Sequence, residues 1–469
     1  MPNILHPANI RKTLRYLAKN GLLQTYYAAR ERGEEARCDK YDYLPPSAQT
    51  LAIQREHSTE MALTFSIVVP VCDPWPGHFQ AMLASVLAQS YPHFELILAD
   101  AGENVEIATL VAACPATDAR IKYLRLPENK GISANTNAAL VHASGDYVGL
   151  LDHDDLLTPD ALYEMASAIQ EADSQNKHPL LLYSDEDKCS QDDGGSYHYH
   201  DHHQKPELNL DLIMSNNYIC HFLVMRRDLI CDLQLRSAYD GAQDYDLVLR
   251  AMDYLLGPAD EPGQEMPMHR TREAVIHVSR VLYHWRSHPG STAENSRSKA
   301  YAYEAGRRVV ADFIRQRGIC GTVSHGRHLG FYRVDYEPDI LSQRPEVGVV
   351  GGRLMDKRNK ITGGIYATDG TSLYHGLHKY YSGYMHRATL QQEAAAVDIR
   401  CMRISPRLYD IFEAVCGLPY QPQPENGRFD WHHAMKAETD FKQLSLAFCE
   451  KARAAGFLIV WDPWMQDEI

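Results

Sequence analysis

A short acidic segment is the clearest candidate for chemistry in this sequence. Asp152, Asp154 and Asp155 directly follow the apolar run of residues 147–151. Carboxylates placed together repel one another unless a cation neutralises them. Hard oxygen ligands of this kind suit Mg²⁺ or Mn²⁺, which often bridge protein carboxylates and substrate phosphates. The segment therefore predicts a metal site. The alternative is that these acids cap a helix that begins near Pro159.

The acidic segment closes a run of alternating strands and helices. Short apolar, β-branched stretches predict buried strands, and the polar-interrupted stretches between them predict helices. The predicted strands cover residues 65–70, 94–100, 121–126 and 147–152, and the helices cover 77–90, 104–114 and 133–144. This alternation predicts an α/β fold with a mainly parallel, doubly wound sheet. Ligands of such sheets bind at the carboxyl ends of the strands, where Pro70, Asp100 and Asp152 lie.

Charge and composition exclude some classes of protein. The chain has 469 residues, 45% of them hydrophobic, and a formal net charge of -14. Nucleic acid is not expected as a partner, because a duplex-binding protein usually presents a basic face. An acidic protein can still bind a diphosphate through a divalent cation. The ten cysteines include no C-x-x-C pair, and reduced, buried thiols are expected.

The N-terminal segment predicts a basic helix over residues 8–33. Arg11, Lys12, Arg15 and Lys19 interrupt its apolar residues, which argues against a signal peptide. No apolar run reaches the roughly 20 residues that span a bilayer, so a cytoplasmic protein is expected. The helix is interpreted as packing on the main domain, with contact to an anionic membrane surface as the alternative. Residues 34–61 are interpreted as an irregular linker.

Several motifs, taken in order, resemble glycosyltransferase family 2, whose members have the GT-A fold. The resemblance covers residues 64–300. Residues 67–70 and 95–100 are similar to the first two strands of the family, and residues 129–137 are similar to the loop and helix beside the nucleotide. Asp152-His153-Asp154 matches the D-x-D motif. The order and spacing of these pieces are more specific than any one of them.

The resemblance implies roles for individual residues. Asp154 and His288 are implied as metal ligands for Mn²⁺ or Mg²⁺. The implied residues of the nucleotide-sugar site are Pro70, Val71, Asp73, Asp100, Asn129, Lys130, Gly131, Asn135, Asp152, His153 and Arg286.

Asp244 matches the acid that acts as the catalytic base in this family. A carboxylate near an acceptor hydroxyl can take its proton during attack. The alternative is that Asp244 caps the helix that starts there. Gln243 replaces the glutamate that often precedes the base.

A second acidic cluster lies on the implied acceptor side, where the family is variable. Asp185, Glu186 and Asp187, with Gln243, are candidates for acceptor recognition, and the alternative for the cluster is a solvated acidic loop. Residues 189–208 are interpreted as a mobile polar loop. Its histidines are weak candidates for a zinc site, because no ligand frame is evident; they are His198, His200, His202 and His203.

The resemblance implies an inverting transfer of a sugar from a UDP- or dTDP-sugar to a glycan or lipid-linked acceptor. It places that reaction in bacterial O-antigen or capsule synthesis. Two alternatives stay open. One is an inactive relative that binds a sugar nucleotide or glycan, and the other is a nucleotidyltransferase. The nucleotidyltransferase is disfavoured because residues 71–77 contain neither Lys nor Arg.

Three segments are expected. Residues 1–61 form the helical segment and linker, residues 62–320 the catalytic domain, and residues 345–469 a C-terminal region. The last resembles part of a second, degenerate GT-A-like domain without a D-x-D motif. We predict that it performs no transfer chemistry and serves acceptor binding, membrane docking or assembly.

Overall fold

The computed structural model describes residues 7–38, 41–192, 194–257, 268–287, 300–436 and 438–468. Strands and helices alternate through the first half of the chain. The strands are β1 Phe65–Val71, β2 Phe94–Asp100, β3 Ile121–Arg125, β4 Tyr147–Leu150, β5 Leu156–Leu157, β6 Leu181–Gln191, β7 Tyr197–His203, β8 Val224–Arg226, β9 Val275–Arg286, β10 Gly321–His325, β11 Tyr332–Tyr336, β12 Val347–Met355, β13 Ile361–Gly363, β14 Ile365–Tyr366, β15 Gln392–Glu393, β16 Ala396–Val397, β17 Met402–Ile404 and β18 Leu458–Glu468.

The helices cover both faces of the main sheet and part of the C-terminal region. They are α1 Pro7–Cys38, α2 Ala48–Ser58, α3 Pro76–Leu87, α4 Val105–Thr117, α5 Ile132–Leu140, α6 Ala161–Ser174, α7 Leu210–Ser215, α8 Arg227–Leu233, α9 Gln243–Leu256, α10 Met268–Ala274, α11 Ala300–Gln316, α12 Ile340–Gln343, α13 Tyr409–Cys416, α14 Trp431–Ala434 and α15 Phe441–Ala454.

The main sheet has nine strands in the order β3-β2-β1-β4-β8-β6-β9-β5, with β7 paired to β6. The strands β3, β2, β1 and β4 are parallel to one another, and β8 joins β4 in the antiparallel sense. β6 and β9 run parallel to each other. The predicted α/β class with a parallel, doubly wound sheet is confirmed, with antiparallel strands added beyond β4.

The central strands are apolar because both faces of the sheet are covered. Val68 and Ile97 lie in the hydrophobic core on one face, and Ile67 and Leu98 lie in the core on the other. Each fully buried side chain of this size stabilises the fold by about 1.5–3 kcal/mol. This burial fixes the register of the strands, and with it the positions of the loops at their carboxyl ends.

The interpretation of residues 34–61 as an irregular linker is wrong for much of its length. Residues 48–58 form helix α2, and the side chain of Ser47 accepts a hydrogen bond from the Thr50 amide at its start. Before α2, the hydroxyl of Tyr41 donates to Asp187 at 2.7 Å, and the ring of Tyr43 lies 4.5 Å from that of His284. Aromatic contacts with the sheet therefore hold a segment whose local composition is polar.

The interpretation of residues 189–208 as a mobile loop is also wrong. Residues 197–203 form β7, which pairs in the antiparallel sense with the end of β6. Tyr and His alternate at the start of β7 with the two-residue period of a strand. Because histidine is polar, the composition of the segment nevertheless resembles that of a loop. The candidate zinc histidines of this strand have separate partners, since His198 lies 3.1 Å from Asp192 and His203 lies 3.3 Å from Glu186.

A second sheet of five strands organises the C-terminal region. Its order is β13-β12-β18-β15, with β17 also paired to β12. β12 and β18 run parallel, and Trp461 of β18 is fully buried in the core beside them. Gly351 is required in β12, because a Cβ at this position would lie 2.2 Å from Cβ of Val397.

Helix α1 packs against the C-terminal region. The carboxylate of Glu31 accepts hydrogen bonds from the amides of Ser382 and Gly383, and the ring of Tyr27 stacks on His378 at 4.2 Å. Within the described part of the chain, no helix has both the length and the apolar character needed to cross a bilayer.

Candidate functional site

The loops that follow the parallel strands are tied to one another at the carboxyl edge of the sheet. Nδ1 of His153, after β4, lies 3.2 Å from the carbonyl oxygen of Pro70 in β1. Nδ2 of Asn129, after β3, donates to Sγ of Cys72 at 3.2 Å. The sheet therefore gathers residues of three separate loops, as the strand order predicts.

Asp100 orders the end of β2. Its carboxylate is almost fully buried and accepts hydrogen bonds from Tyr123 Oη at 3.0 Å, from Arg125 Nη1 at 2.7 Å and from the Gly102 amide at 2.9 Å. These donors occupy most of its acceptor positions. Asp100 thus holds Tyr123 and Arg125 at the edge of the site.

The loop after β1 contacts the loop after β2. Oδ1 of Asp73 accepts from the amide of Asn104 at 2.7 Å. Gly102 allows this approach, because a Cβ there would lie 2.5 Å from Oδ1 of Asp73. Val71 ends β1 and pairs with Asp100, so the candidates Val71, Asp73 and Asp100 lie together.

The segment before α5 is held by side-chain amides. Oδ1 of Asn129 accepts from the Gly131 amide at 3.0 Å and from Asn135 Nδ2 at 2.9 Å, and the Lys130 amide donates to Asn135 Oδ1 at 3.3 Å. Gly131 has φ of +94°, and a Cβ there would lie 2.4 Å from Oδ2 of Asp240. The start of α5 is therefore fixed beside the segment that leads to Asp244.

Asp152, Asp155 and His221 come together in a cluster of possible metal ligands. One ligand atom from each lies within 4.8 Å of the others. Among the residues that the structure describes, this is the one group of three or more His, Cys, Asp or Glu side chains with that geometry. The sequence predicted a site in this segment but did not identify His221 as a member.

The cluster carries excess negative charge. Burial raises the pKa of Asp152 above its ordinary value, His221 opposes this shift, and the charges of Asp154 and Asp244 add to it. Burial, together with Asp154 and Asp152, raises the pKa of Asp155 well above its ordinary value. Burial and mutual repulsion therefore both disfavour the ionised form of these carboxyl groups.

Arg286 stabilises the acidic loop of residues 152–155 by hydrogen bonds. Its amide donates to Asp155 at 2.7 Å, its Nε donates to the carbonyl oxygen of Asp154 at 2.5 Å, and its Nη1 donates to Tyr197 Oη at 3.2 Å. Its side chain is almost fully buried, and Nη2 has no hydrogen-bond partner among the described residues. Tyr283 Oη also donates to Asp155, at 2.5 Å.

The second acidic cluster divides between two faces of β6. Asp185 and Asp187 are buried: Asp185 accepts from the Lys205 amide at 2.8 Å, and Asp187 lies 2.5 Å from Nδ1 of His284. The alternative of a solvated acidic loop is therefore wrong. Glu186 is the member of this acidic cluster that contacts His221 of the metal-ligand cluster.

Glu186 lies between Lys205 and His221 of the cluster. Its carboxylate lies 3.2 Å from Lys205 Nζ and 3.1 Å from His221 Nδ1. Burial alone would raise the pKa of Glu186, but Lys205, His203 and His221 hold that pKa well below its ordinary value. His221 therefore donates to an ionised carboxylate.

Asp244 lies in the first turn of α9, and its carboxylate accepts from Asn217 Nδ2 at 3.0 Å. It makes no capping bond, because the N-cap position is Ala242, which has no capping side chain. The side chain of Gln243 accepts from the Gly241 amide at 2.7 Å and so shapes the turn before the helix. His288 lies outside the described residues.

Part of the chain, including much of the site, matches a known family. Residues 66–231 match the model of "Glycosyl transferase family 2". An uncharacterized protein of Sinorhizobium fredii is 38% identical over 53% of this chain and 25% of its own length. The O-antigen biosynthesis protein RfbC of Myxococcus xanthus is 29% identical over 61% of this chain and 20% of its own length. The matches therefore span a quarter or less of these relatives.

Among solved structures, that of S. aureus TarS in complex with UDP-GlcNAc is similar over 54% of this chain and 66% of that one. Its sequence identity is 19% and the TM-score is 0.39.

Proposed function

We propose that this protein transfers a sugar from a nucleotide-diphosphate donor to a hydroxyl of an acceptor, because residues 66–231 match the model of glycosyl transferase family 2. The observation that carries the proposal is the cluster of Asp152, Asp155 and His221 at the carboxyl edge of the sheet, in which Asp155 is buried. The carboxylates at this edge of the sheet can bind a divalent cation, and the cation can in turn bind the negatively charged diphosphate.

The residues present fit a divalent cation such as Mn²⁺ or Mg²⁺. Asp152 and Asp155 offer carboxylate oxygens, the hard ligands that such cations prefer, within 4.8 Å of a ring nitrogen of His221. Nδ1 of His221 donates to Glu186, which leaves Nε2 as the ring nitrogen available to a cation. Asp154 and His288 remain proposed ligands from the family resemblance. A bound cation would stabilise the charge that develops on the departing nucleotide diphosphate.

Asp244 is proposed as the catalytic base. Its charge reaches the acidic cluster, because it contributes to the raised pKa of Asp152. Asn217 orients the carboxylate and leaves acceptor positions free to take the proton of an acceptor hydroxyl. Attack on the face of the sugar opposite the leaving diphosphate would invert the anomeric centre in one displacement.

The remaining candidates are proposed to surround the donor. Asp100, with Tyr123 and Arg125, forms the wall proposed for the nucleobase. Pro70, Val71, Asp73 and His153 supply the strand-end loops, and Asn129, Lys130, Gly131 and Asn135 supply the loop before α5. Arg286 is proposed to act through the Asp154–Asp155 loop, since it braces that loop by hydrogen bonds.

The acceptor is proposed to be a glycan or a lipid-linked glycan of a bacterial surface polysaccharide. The similarity to an O-antigen biosynthesis protein supports this setting. Glu186 and Gln243 are proposed on the acceptor side. The donor base is proposed to be uracil or thymine.

A screen of nucleotide-diphosphate sugars tests the proposal. Each donor is titrated into the full chain with Mn²⁺ and with a chelator, and turnover is followed by release of the nucleoside diphosphate. One donor should bind in a metal-dependent manner, and Asp152→Asn should abolish that dependence, whereas Asp118→Asn on the opposite side of the sheet should not. A folded protein that binds no donor would indicate an inactive relative.

A further inference from the structure

A basic cavity lies away from the acidic cluster, between the β10–β11 hairpin, the middle of β12 and the end of β18. Its volume is about 450 Å³. Arg327, Arg333, Arg353 and Lys379 line it, together with the aromatic rings of Tyr380 and Trp464. None of its twelve lining residues, all in the described part of the chain, is acidic. The lining of this cavity is therefore basic, although the chain as a whole has a formal net charge of -14.

Arg353 is buried in the wall of this cavity with an unused donor. Its side chain is only 6% exposed. Nη2 donates to the carbonyl oxygen of Ala388 and Nη1 lies 3.4 Å from that of Lys379, but Nε has no hydrogen-bond partner among the described residues. Nε of Arg333 is likewise buried without a partner. Buried donors without acceptors are costly, so these two indicate a missing acceptor.

The cations of the cavity are incompletely neutralised. Burial lowers the pKa of Arg353 to about 10, and the charge of Arg327 contributes to the shift. Asp335 pairs with Arg333 at 2.6 Å, and the buried Asp462 lies close enough to interact with Arg333 and Arg353. These acids lie outside the lining, so the lining itself presents positive charge to whatever enters.

We propose that this cavity binds a phosphate or diphosphate group. Guanidinium N–H groups match the oxygen geometry of phosphate, and several of them converge here. The volume falls in the range of ligand sites and exceeds what one small ion needs. Trp464 and Tyr380 help to hold these cations in place, because Arg333 lies over the ring of Trp464 at 4.3 Å and Lys379 lies over the ring of Tyr380 at 5.4 Å.

The β10–β11 hairpin connects this cavity with the proposed base. Tyr332 and Arg333 are neighbours on β11 and point to opposite faces. The ring of Tyr332 lies 6.0 Å from that of Tyr245 in α9, whereas Arg333 lines the cavity. Nδ2 of Asn216 lies 3.4 Å from the Gly330 carbonyl oxygen at the hairpin turn, and the adjacent Asn217 donates to Asp244. The site would hold the phosphate of an acceptor, a role that rests on the proposed function.

Calorimetric titration of the full chain with inorganic pyrophosphate in the presence of EDTA tests the proposal. The chelator removes metal-dependent binding at the acidic cluster, so failure of the proposed transfer would not affect this result. Wild-type protein should bind. Arg333→Gln and Lys379→Gln should each weaken binding roughly tenfold, because each removes a charge-assisted contact. The matched control Arg315→Gln, on the exposed face of α11, should leave binding unchanged.

Two further measurements locate the binding site and identify the source of the phosphate. Amide hydrogen exchange of wild-type protein should slow at residues 324–327 and 464–466 when pyrophosphate is added. Vesicles of phosphatidylcholine with and without phosphatidic acid distinguish a lipid source: retention only on the phosphatidic acid vesicles, lost in Arg333→Gln, would assign the phosphate to a lipid headgroup. The proposal is overturned if wild-type protein binds neither probe, or if Arg315→Gln weakens binding as much as Arg333→Gln.

Discussion

Nδ1 of His221 lies 3.1 Å from the carboxylate of Glu186, and this contact joins the two acidic segments of the chain. His221 belongs to the metal-ligand cluster with Asp152 and Asp155, and Glu186 is in turn held by Lys205. A carboxylate behind a ligating histidine fixes the orientation of the ring and increases its basicity. We therefore propose Glu186 as a positioning residue for the site.

Glu186→Gln should weaken binding of Mn²⁺ roughly 10- to 100-fold, because the amide cannot hold His221 as an ionised carboxylate does. Titration calorimetry with Mn²⁺ alone measures this without any sugar. Glu413→Gln, at an exposed position of α13, serves as the control. Unchanged Mn²⁺ affinity in a folded Glu186→Gln protein would remove His221 from the proposed ligands.

Asp244→Asn should reduce the rate of transfer by roughly 10²- to 10⁴-fold, because the amide cannot accept the proton of the acceptor hydroxyl. Donor binding should persist, since Asp244 is not among the proposed donor contacts. Asp253→Asn, near the other end of α9, provides a matched control. A near-normal rate in the Asp244→Asn protein would assign the base elsewhere.

Acidification should destabilise the contact among helix α1, the β10–β11 hairpin and residues 382–390. His328 and His386 stack at 3.7 Å, and burial, with neighbouring positive charges, lowers the pKa of His328 to about 2 and that of His386 to about 4. Between their unfolded pKa of about 6.5 and these lowered values, the unfolded chain binds more protons. Stability is therefore complete above pH ~6.5 and falls by about 1.4 kcal/mol per pH unit for each histidine below it.

His328→Phe keeps the ring and removes one of these titrations, so its stability should decline less steeply between pH ~6.5 and ~4. Urea unfolding at several pH values measures the slope. His178→Phe, an exposed position on the surface, should retain the wild-type slope. Equal slopes for wild type and His328→Phe would show that this histidine is not neutral in the folded protein.

A buried group of three charged side chains connects helix α7 with the segment that leads into β12 of the second sheet. Arg344 Nη1 lies 2.5 Å from Asp211 in α7, Arg344 Nε lies 2.7 Å from Glu346, and these side chains are almost fully buried. Arg344→Met should lower the free energy of unfolding by about 3–5 kcal/mol, because it leaves buried carboxylates unpaired. Urea unfolding, with exposed Arg315→Met as control, checks this; a loss below about 1 kcal/mol would contradict it.

Local patterns predicted the parallel core of the sheet. The apolar runs of β1, β2 and β4 are long enough to require burial, and the helices between them follow from their spacing. The polar strand β7 was missed, because its partner strand β6 determines its structure and its own composition favours a loop. Helix α2 was missed because its contacts with α6, such as that between His57 and Tyr163, are distant in the chain.

The sequence by itself determined the fold class, the resemblance to a family and the acidic segment at Asp152–Asp155, because these depend on residues near one another in the chain. Only the tertiary structure decided which side chains complete the site. Glu186 and His221 are 35 positions apart, and Asp155 and Tyr283 are 128 apart, so their contacts depend on the register of β6 and β9. The basic cavity was likewise invisible in the sequence, because its arginines lie on separate strands and loops, and packing alone brings their charges together.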